Sequence, residues 1–301
     1  MATRRKFIKD SALFSLAGLS ISGLTLLQSK AASISGINDI GLQLYTVRDA
    51  MAADPIQTLT ALAKMGYTDV ESAGYSERKF YGMSPKEFRI VLDDLGLKTN
   101  SGHTLTGANT PKASYTMYSN WAAACEDFAS IGQKYIVCGY LFDYERKNLD
   151  QYRKIADLFN KSGKIASEHG IKFAYHNHDF EFENLEGQLP YDLLLANTDP
   201  NYVNFELDLY WIKKAGKDPL TYFKNHKGRF PLWHIKDMEA GSDKFFTEVG
   251  NGIINWSEIF DAQAEAGMQH FYVEQDFCKN HKPLESVKIS LDYINSKGYR
   301  G

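Results

Sequence analysis

The chain has 301 residues, with 34 Lys and Arg against 37 Asp and Glu and a formal charge of -3. That balance offers no basic footprint for a polyanion, so nucleic acid is not favoured as a partner. The length suits one large α/β domain, and the three cysteines, Cys125, Cys138 and Cys278, show no CxxC spacing and read as buried thiols.

The chain opens with the basic stretch Thr3-Arg4-Arg5-Lys6-Phe7-Ile8-Lys9. An uncharged run from Ser11 to Ser29 follows, then Lys30-Ala31-Ala32-Ser33. Adjacent arginines, a modest apolar run and small residues resemble a twin-arginine secretion signal cleaved near Ala31 or Ala32. Residues 1–32 are therefore expected to be a signal peptide and 33–301 the folded domain, carried to the periplasm. Ser, Gly and Thr dilute the apolar run below the roughly 20 strongly apolar residues of a membrane helix, so no stable membrane association is expected after cleavage.

Next, Ile40 to Tyr45 reads as a first strand, and Asp54-Pro55 opens a helix that Gly66 closes. Tyr67 to Glu71 is a second strand, Ser84-Pro85 caps a helix running to Gly96, and Lys98 to His103 is a third strand. Helical spacing from Trp121 to Ile131 precedes a fourth strand, Tyr135 to Cys138. A long helical pattern from Leu149 to His169 delivers a fifth strand beginning at Ile171. Strand six, Val203 to Asp208, is followed by a helix at Asp218-Pro219. Strand seven, Pro231 to Lys236, leads to the helix Trp256 to Ala266, and strand eight, Phe271 to Glu274, to the helix Leu284 to Ser296. Eight strand-then-helix units predict a (β/α)8 TIM barrel, because parallel strands need covered crossovers and eight of them close the sheet. An open doubly wound sheet is the alternative, but neither a GxGxxG after strand one nor a Walker A pattern supports it.

The fifth strand carries Phe173-Ala-Tyr-His-Asn-His-Asp-Phe-Glu181. Alternation puts Ala174, His176 and His178 on one face and Phe173 and Tyr175 on the other. By the same parity Glu206 goes with Asp208, His234 with Lys236, and Glu274 with Asp276. Polar ligands gathered at four successive strand ends make a site, expected at the C-terminal mouth of the barrel.

Four strings carry a resemblance: Gly41-Leu-Gln-Leu-Tyr-Thr-Val-Arg48, Tyr175-His-Asn-His-Asp-Phe-Glu-Phe182, Glu206-Leu-Asp-Leu-Tyr-Trp211 and His234-Ile-Lys-Asp237. Together they resemble the xylose isomerase-like barrels, a superfamily of sugar isomerases and epimerases, in particular its exported Bacteroidetes-type members. The resemblance implies one divalent metal held by Glu, Asp, His and Glu from strands five to eight. Asp208, His234 and Glu274 match the last three. His176 stands where the first glutamate is expected, with Glu181 the other candidate. Such a set suits Mn²⁺, Co²⁺, Zn²⁺ or Mg²⁺.

In the epimerase-type mechanism that the resemblance implies, metal-bound carboxylates move a proton beside a carbonyl. With His176 in the first position, His178 or Glu206 would share that duty with Glu274. Lys236 follows His234 by two residues and is expected to point at the substrate. Glu71 is either a substrate-binding carboxylate or a capped loop residue. His103 is either a substrate contact or a core histidine, and Tyr45 and Trp211 are either core or aromatic faces for a sugar. The expected activity is isomerisation or epimerisation of a free or glycosidic keto-sugar through an enediolate or enolate. A lyase or dehydratase on the same barrel and a non-catalytic sugar-binding barrel are the alternatives. An endonuclease IV-type phosphodiesterase is disfavoured, because position 211 is Trp where many relatives place His. The expected partner is a small-molecule sugar, with a homo-oligomer left open.

Overall fold

The computed structural model describes residues 39–301, so the expected signal peptide lies outside the described residues. Eight parallel strands alternate with helices: β1 Gly41–Gln43, β2 Asp69–Glu71, β3 Ser101–Thr104, β4 Tyr135–Cys138, β5 Lys172–His176, β6 Val203–Asp208, β7 Leu232–Ile235 and β8 His270–Val273. They form one sheet in the order β2-β1-β8-β7-β6-β5-β4-β3. Parallel bridges Asp69 to Lys98 and Ser72 to Gly102 join β2 to β3 and bring the sheet round into a barrel. The fold is thus the expected (β/α)8 barrel.

Helix boundaries follow local chemistry. Asp54 accepts from the backbone N–H of Gln57 and Pro55 starts helix α1, Pro55–Met65, which ends at Gly66 with φ 111°. Ser84 and Glu87 form a reciprocal capping box on α2, Pro85–Leu95. The next helices are α3 Trp121–Ser130, α4 Leu149–Glu168, α5 Pro190–Asn197, α6 Pro219–Asn225, α7 Trp256–Asp261 and α8 Pro283–Lys297. Helix α7 is shorter than expected, because the chain breaks at Ala262 before a separate turn, Gln263–Ala266.

Strand one is also shorter than expected. Gln43 Oε1 accepts from the Tyr45 N–H at 3.0 Å and turns Leu44–Val47 into a 3-10 helix, which lifts Tyr45 out of the strand. Among the described residues three α-helices have no counterpart in the sequence reading: α5 and two short ones, Arg48–Ala53 and Leu209–Lys214.

The core has two parts. Inside the barrel, Tyr135, Val137, Ala174, Leu232 and Tyr272 form a small apolar plug. A larger apolar shell lies between strands and helices, and α4 shows how it forms: Tyr152, Ile155, Ala156, Phe159 and Ala166 recur at helical spacing and are buried. Truncating a buried phenylalanine such as Phe159 to Ala costs about 3–5 kcal/mol.

Gly163, on the same face, lets α4 approach the chain entering β6. A Cβ there would lie 2.3 Å from the Tyr202 carbonyl oxygen. Gly163→Ala is therefore expected to lower stability by about 1–3 kcal/mol, although alanine is the better helix former by roughly 1 kcal/mol. Urea unfolding measures this, and a raised midpoint would refute the close approach.

First and last units meet at a seam. Residues Gly41 and Leu42 of β1 pair with Tyr272 and Val273 of β8. Arg48 donates to the Asp276 carbonyl at 3.0 Å, and the Gln275 N–H donates to Thr46 Oγ1 at 3.0 Å.

Candidate active site and metal centre

Strand alternation aims Glu71, His103, His176, Glu206, His234 and Glu274 into the barrel above the apolar plug, and most of these side chains are fully buried. The arrangement has two tiers, joined by two imidazoles. His176 presents Nδ1 to Glu206 Oε2 at 3.2 Å and Nε2 to Asp208 Oδ2 at 3.7 Å. His234 presents Nε2 to Glu71 Oε2 at 2.5 Å and Nδ1 to Glu274 Oε2 at 2.7 Å.

The deeper tier is therefore Glu71, Glu206 and His103, whose Nε2 lies 2.6 Å from Glu206 Oε2. The upper tier is His176 Nε2, His234 Nδ1, Asp208 and Glu274. Gly139 makes room for the His103 ring, since a Cβ there would lie 2.5 Å from its Nδ1.

Two overlapping sets of donors lie close enough to hold a cation: His176, Asp208, His234 and Glu274, and His103, His176, Glu206 and His234. The first fits a divalent metal on three counts. Its donors are two imidazoles and two carboxylates, a set that suits first-row divalent ions. Each of its imidazoles keeps a carboxylate at the other nitrogen, the support that metal-binding histidines use to fix tautomer and orientation. Asp208 Oδ2 is buried and, though 2.9 Å from Lys236 Nζ, has no donor aligned on it.

Electrostatics agree with that fit. Burial, then the charge of His234, holds His176 down at about 3, so it is a neutral donor at pH 7. Burial also opposes charge on His234, but Glu206, Glu274 and Glu71 outweigh it and raise its pKa well above the usual value. A cation taking Nδ1 must displace that proton, so uptake is linked to pH. Burial and the charge of Glu206 push Glu71 up to about 7. Burial works the same way on Glu206, yet His234 and His103 overcome it and hold its carboxyl well below the usual range.

Above the tiers opens a cavity of about 800 Å³. His103, His176, His178, Glu274 and Asp276 reach its floor, and Tyr45 and Trp211 stand in its walls. Burial, then His176, keeps His178 neutral, and its buried Nδ1 has no partner among the described residues.

Lys236 differs from the sequence expectation. It is fully buried and does not line the cavity; its ammonium sits 2.9 Å from Asp208, 2.6 Å from Glu274 and 2.8 Å from Asp276. Parity sets its face correctly, but three carboxylates draw it behind the cavity floor. Glu181 lies apart from the donor sets: it accepts from the Tyr175 hydroxyl and, at 2.8 Å, from the His178 backbone N–H.

Sequence reasoning missed two supports. Gln43 Nε2 donates to Glu71 Oε2 at 2.8 Å, which parity with Gly41 on β1 could have shown. The Asn177 side chain accepts from the Asp208 N–H at 3.0 Å and ties the end of β5 to that of β6, with no periodic signal to announce it.

A family model described as "Xylose isomerase-like TIM barrel" matches residues 59–297. The chain belongs to this family. Among solved structures of xylose isomerase-like barrels, a sugar phosphate isomerase/epimerase from Parabacteroides distasonis ATCC 8503 is 31% identical, with a TM-score of 0.75 over 88% of this chain and 96% of that one. The inosose dehydratase of Mesomycoplasma hyopneumoniae (strain 7448) is 24% identical over 267 residues, covering 76% of this chain and 86% of the relative. A structure of the IOLI protein with a bound zinc atom shares the xylose isomerase-like fold at 15% identity and a TM-score of 0.66, over 87% of this chain and 99% of that one.

Proposed function

We propose that the chain is a divalent-metal-dependent enzyme that removes the proton beside the carbonyl of a keto-sugar and returns it to give an isomer or epimer. Membership of a family of sugar isomerases, epimerases and dehydratases makes it an enzyme of that broad kind. The observation that carries the finer reading is the upper tier, where His176, Asp208, His234 and Glu274 converge beneath a cavity whose floor also holds a neutral histidine.

Those four residues would hold the metal. When bound, a divalent ion polarises the carbonyl and offsets charge developing on its oxygen. His178, neutral and lining the cavity, takes the proton from the adjacent carbon, and the C–H electron pair becomes the C=C bond of an enolate. The imidazolium so formed returns its proton to carbon, while Glu274, on the same floor, despite its burial stays a carboxylate under the charges of Lys236 and His234. Substrate and product have one formula.

Lys236 holds Asp208, Glu274 and Asp276 together rather than meeting the sugar. Among the described residues no lysine or arginine lines the cavity, which suits an unphosphorylated sugar. Export through residues 1–32 would place the reaction where such sugars are met.

The inosose dehydratase relatives favour a second reading, a lyase. The same enolate would expel a leaving group from its β-carbon, the C=C electron pair moving to form the new double bond as the carbonyl is restored. His103, on the floor and backed by Glu206, would protonate the departing oxygen.

The test is metal analysis of residues 33–301 as purified, followed by incubation with a panel of keto-sugars in D₂O. About one divalent ion per chain and loss of a C–H signal by NMR are expected. Absence of both points to a non-catalytic sugar-binding barrel. Glu206→Gln removes a support and no ligand of the upper tier, so metal affinity should fall roughly 10–100-fold in chelator competition. Unchanged affinity would show that the deeper tier does not support the metal.

A further inference from the structure

The cavity is larger than the sugar that its floor can process. A single hexose is about half of a drug-sized ligand, whereas 800 Å³ lies toward the top of the roughly 300–1,000 Å³ that encloses a whole one. The chemistry is confined to the floor. Above it the walls turn aromatic, with Tyr45 after β1, Tyr140 and Phe142 after β4, Phe180 after β5, Phe246 after β7 and Phe277 after β8.

These rings are organised. Tyr140 meets Phe142 edge-on at 5.1 Å and Phe180 at 5.8 Å, and the Arg146 guanidinium lies 3.5 Å from the Phe180 centroid. On the opposite lip the Arg48 guanidinium lies 4.4 Å from the Tyr45 centroid and 5.6 Å from that of Phe277. Phe277 is 60% exposed and Tyr45 43% exposed, large apolar area left open to water at the mouth of the site. Cations stacked on both walls hold the rings in place without entering the cavity.

We infer that the aromatic upper part of the cavity is a subsite for a second ring, so that the substrate is a glycoside rather than a free sugar. This rests on the proposed action at the floor. The keto-sugar ring lies over His176, His178 and Glu274, and its glycosidic oxygen leads the second ring up between the two aromatic walls. A ring with a flat apolar face, whether an aryl group or the C–H face of another sugar, stacks there.

Calorimetry on the metal-loaded protein tests the subsite with glucose, phenyl β-glucoside and cellobiose. At least one of the two glycosides should bind tenfold or more tightly than glucose, and which one does so identifies the second ring as aryl or sugar. Phe277→Ala should cut that ratio at least fivefold, and Tyr45→Ala is the second variant; both positions are exposed enough to spare the fold. Equal binding of all three ligands, or a ratio that neither variant changes, overturns the subsite.

Proton exchange from D₂O into keto-glucose and its phenyl glycoside separates this from the reading beneath it. Exchange into both with equal kcat/KM removes the subsite and leaves proton abstraction standing. No exchange into either, with the binding ratio intact, removes proton abstraction and leaves the subsite.

Discussion

Lys236→Met, with metal removed by chelator, is expected to lower the free energy of unfolding by about 3–5 kcal/mol. Its ammonium has no exposed surface and neutralises Asp208, Glu274 and Asp276 at 2.6–2.9 Å. Burial alone would lower its pKa, but those three carboxylates raise it well above the usual value, so the cation stays charged in the folded protein. Methionine fills similar volume and removes the charge, which strands carboxylates in a buried setting; breaking such a group from one side carries a penalty of that size. A divalent ion should restore part of the loss, because it brings positive charge to Asp208 and Glu274. Urea unfolding with and without metal measures both effects. A loss under about 1 kcal/mol would mean that the carboxylates shed their charge at little cost. From sequence alone the same substitution would be expected to keep the fold and cost turnover about a hundredfold, as for an oxyanion donor. Burial moves the expected loss from catalysis to stability.

Glu181→Gln is expected to flatten the pH dependence of stability and to stabilise the protein above pH 7. Burial raises the Glu181 pKa from 4.5 to about 7, against the opposing hydrogen bonds from Tyr175 and the His178 backbone. A carboxyl whose folded pKa lies above its unfolded value favours folding most when protonated. Its contribution is complete below about pH 4.5 and is lost as pH rises through 7, a swing of about 3 kcal/mol. Glutamine keeps the shape, accepting from the His178 N–H and donating to the Tyr175 oxygen. Chemical denaturation from pH 5 to 8 reads the difference, and parallel curves for the two proteins would sink the assignment.

Most of the barrel is legible because its punctuation is local. Proline at the first helical position marks α1, α2 and α6, and glycines in the left-handed region end α1, α2 and α8. Helix α5 went unread because Leu189 precedes Pro190 where a capping side chain would be expected, and no side chain caps it. Parity assigned Glu206, His234 and Glu274 to the barrel interior, since alternation is a property of each strand alone. It could not show that His176 and His234 link two layers of carboxylates, because that depends on side chains from β2, β3 and β6 meeting across the barrel. Nor could it show where a long side chain stops. Lys236 is drawn to Asp276, 40 residues away, rather than to the cavity.

The seam between β1 and β8 bears on how the chain can be made. Arg48 and Asp276 are 228 residues apart and Thr46 and Gln275 229, yet their contacts help close the barrel. A ribosome releases β1 early, with its eventual neighbour on one side still unsynthesised. Until β8 emerges that edge has unpaired N–H and C=O groups, a template for pairing with another nascent chain. Closure must then meet the entropy of joining nearly the whole length of the polypeptide, which makes it a slow, late event in folding.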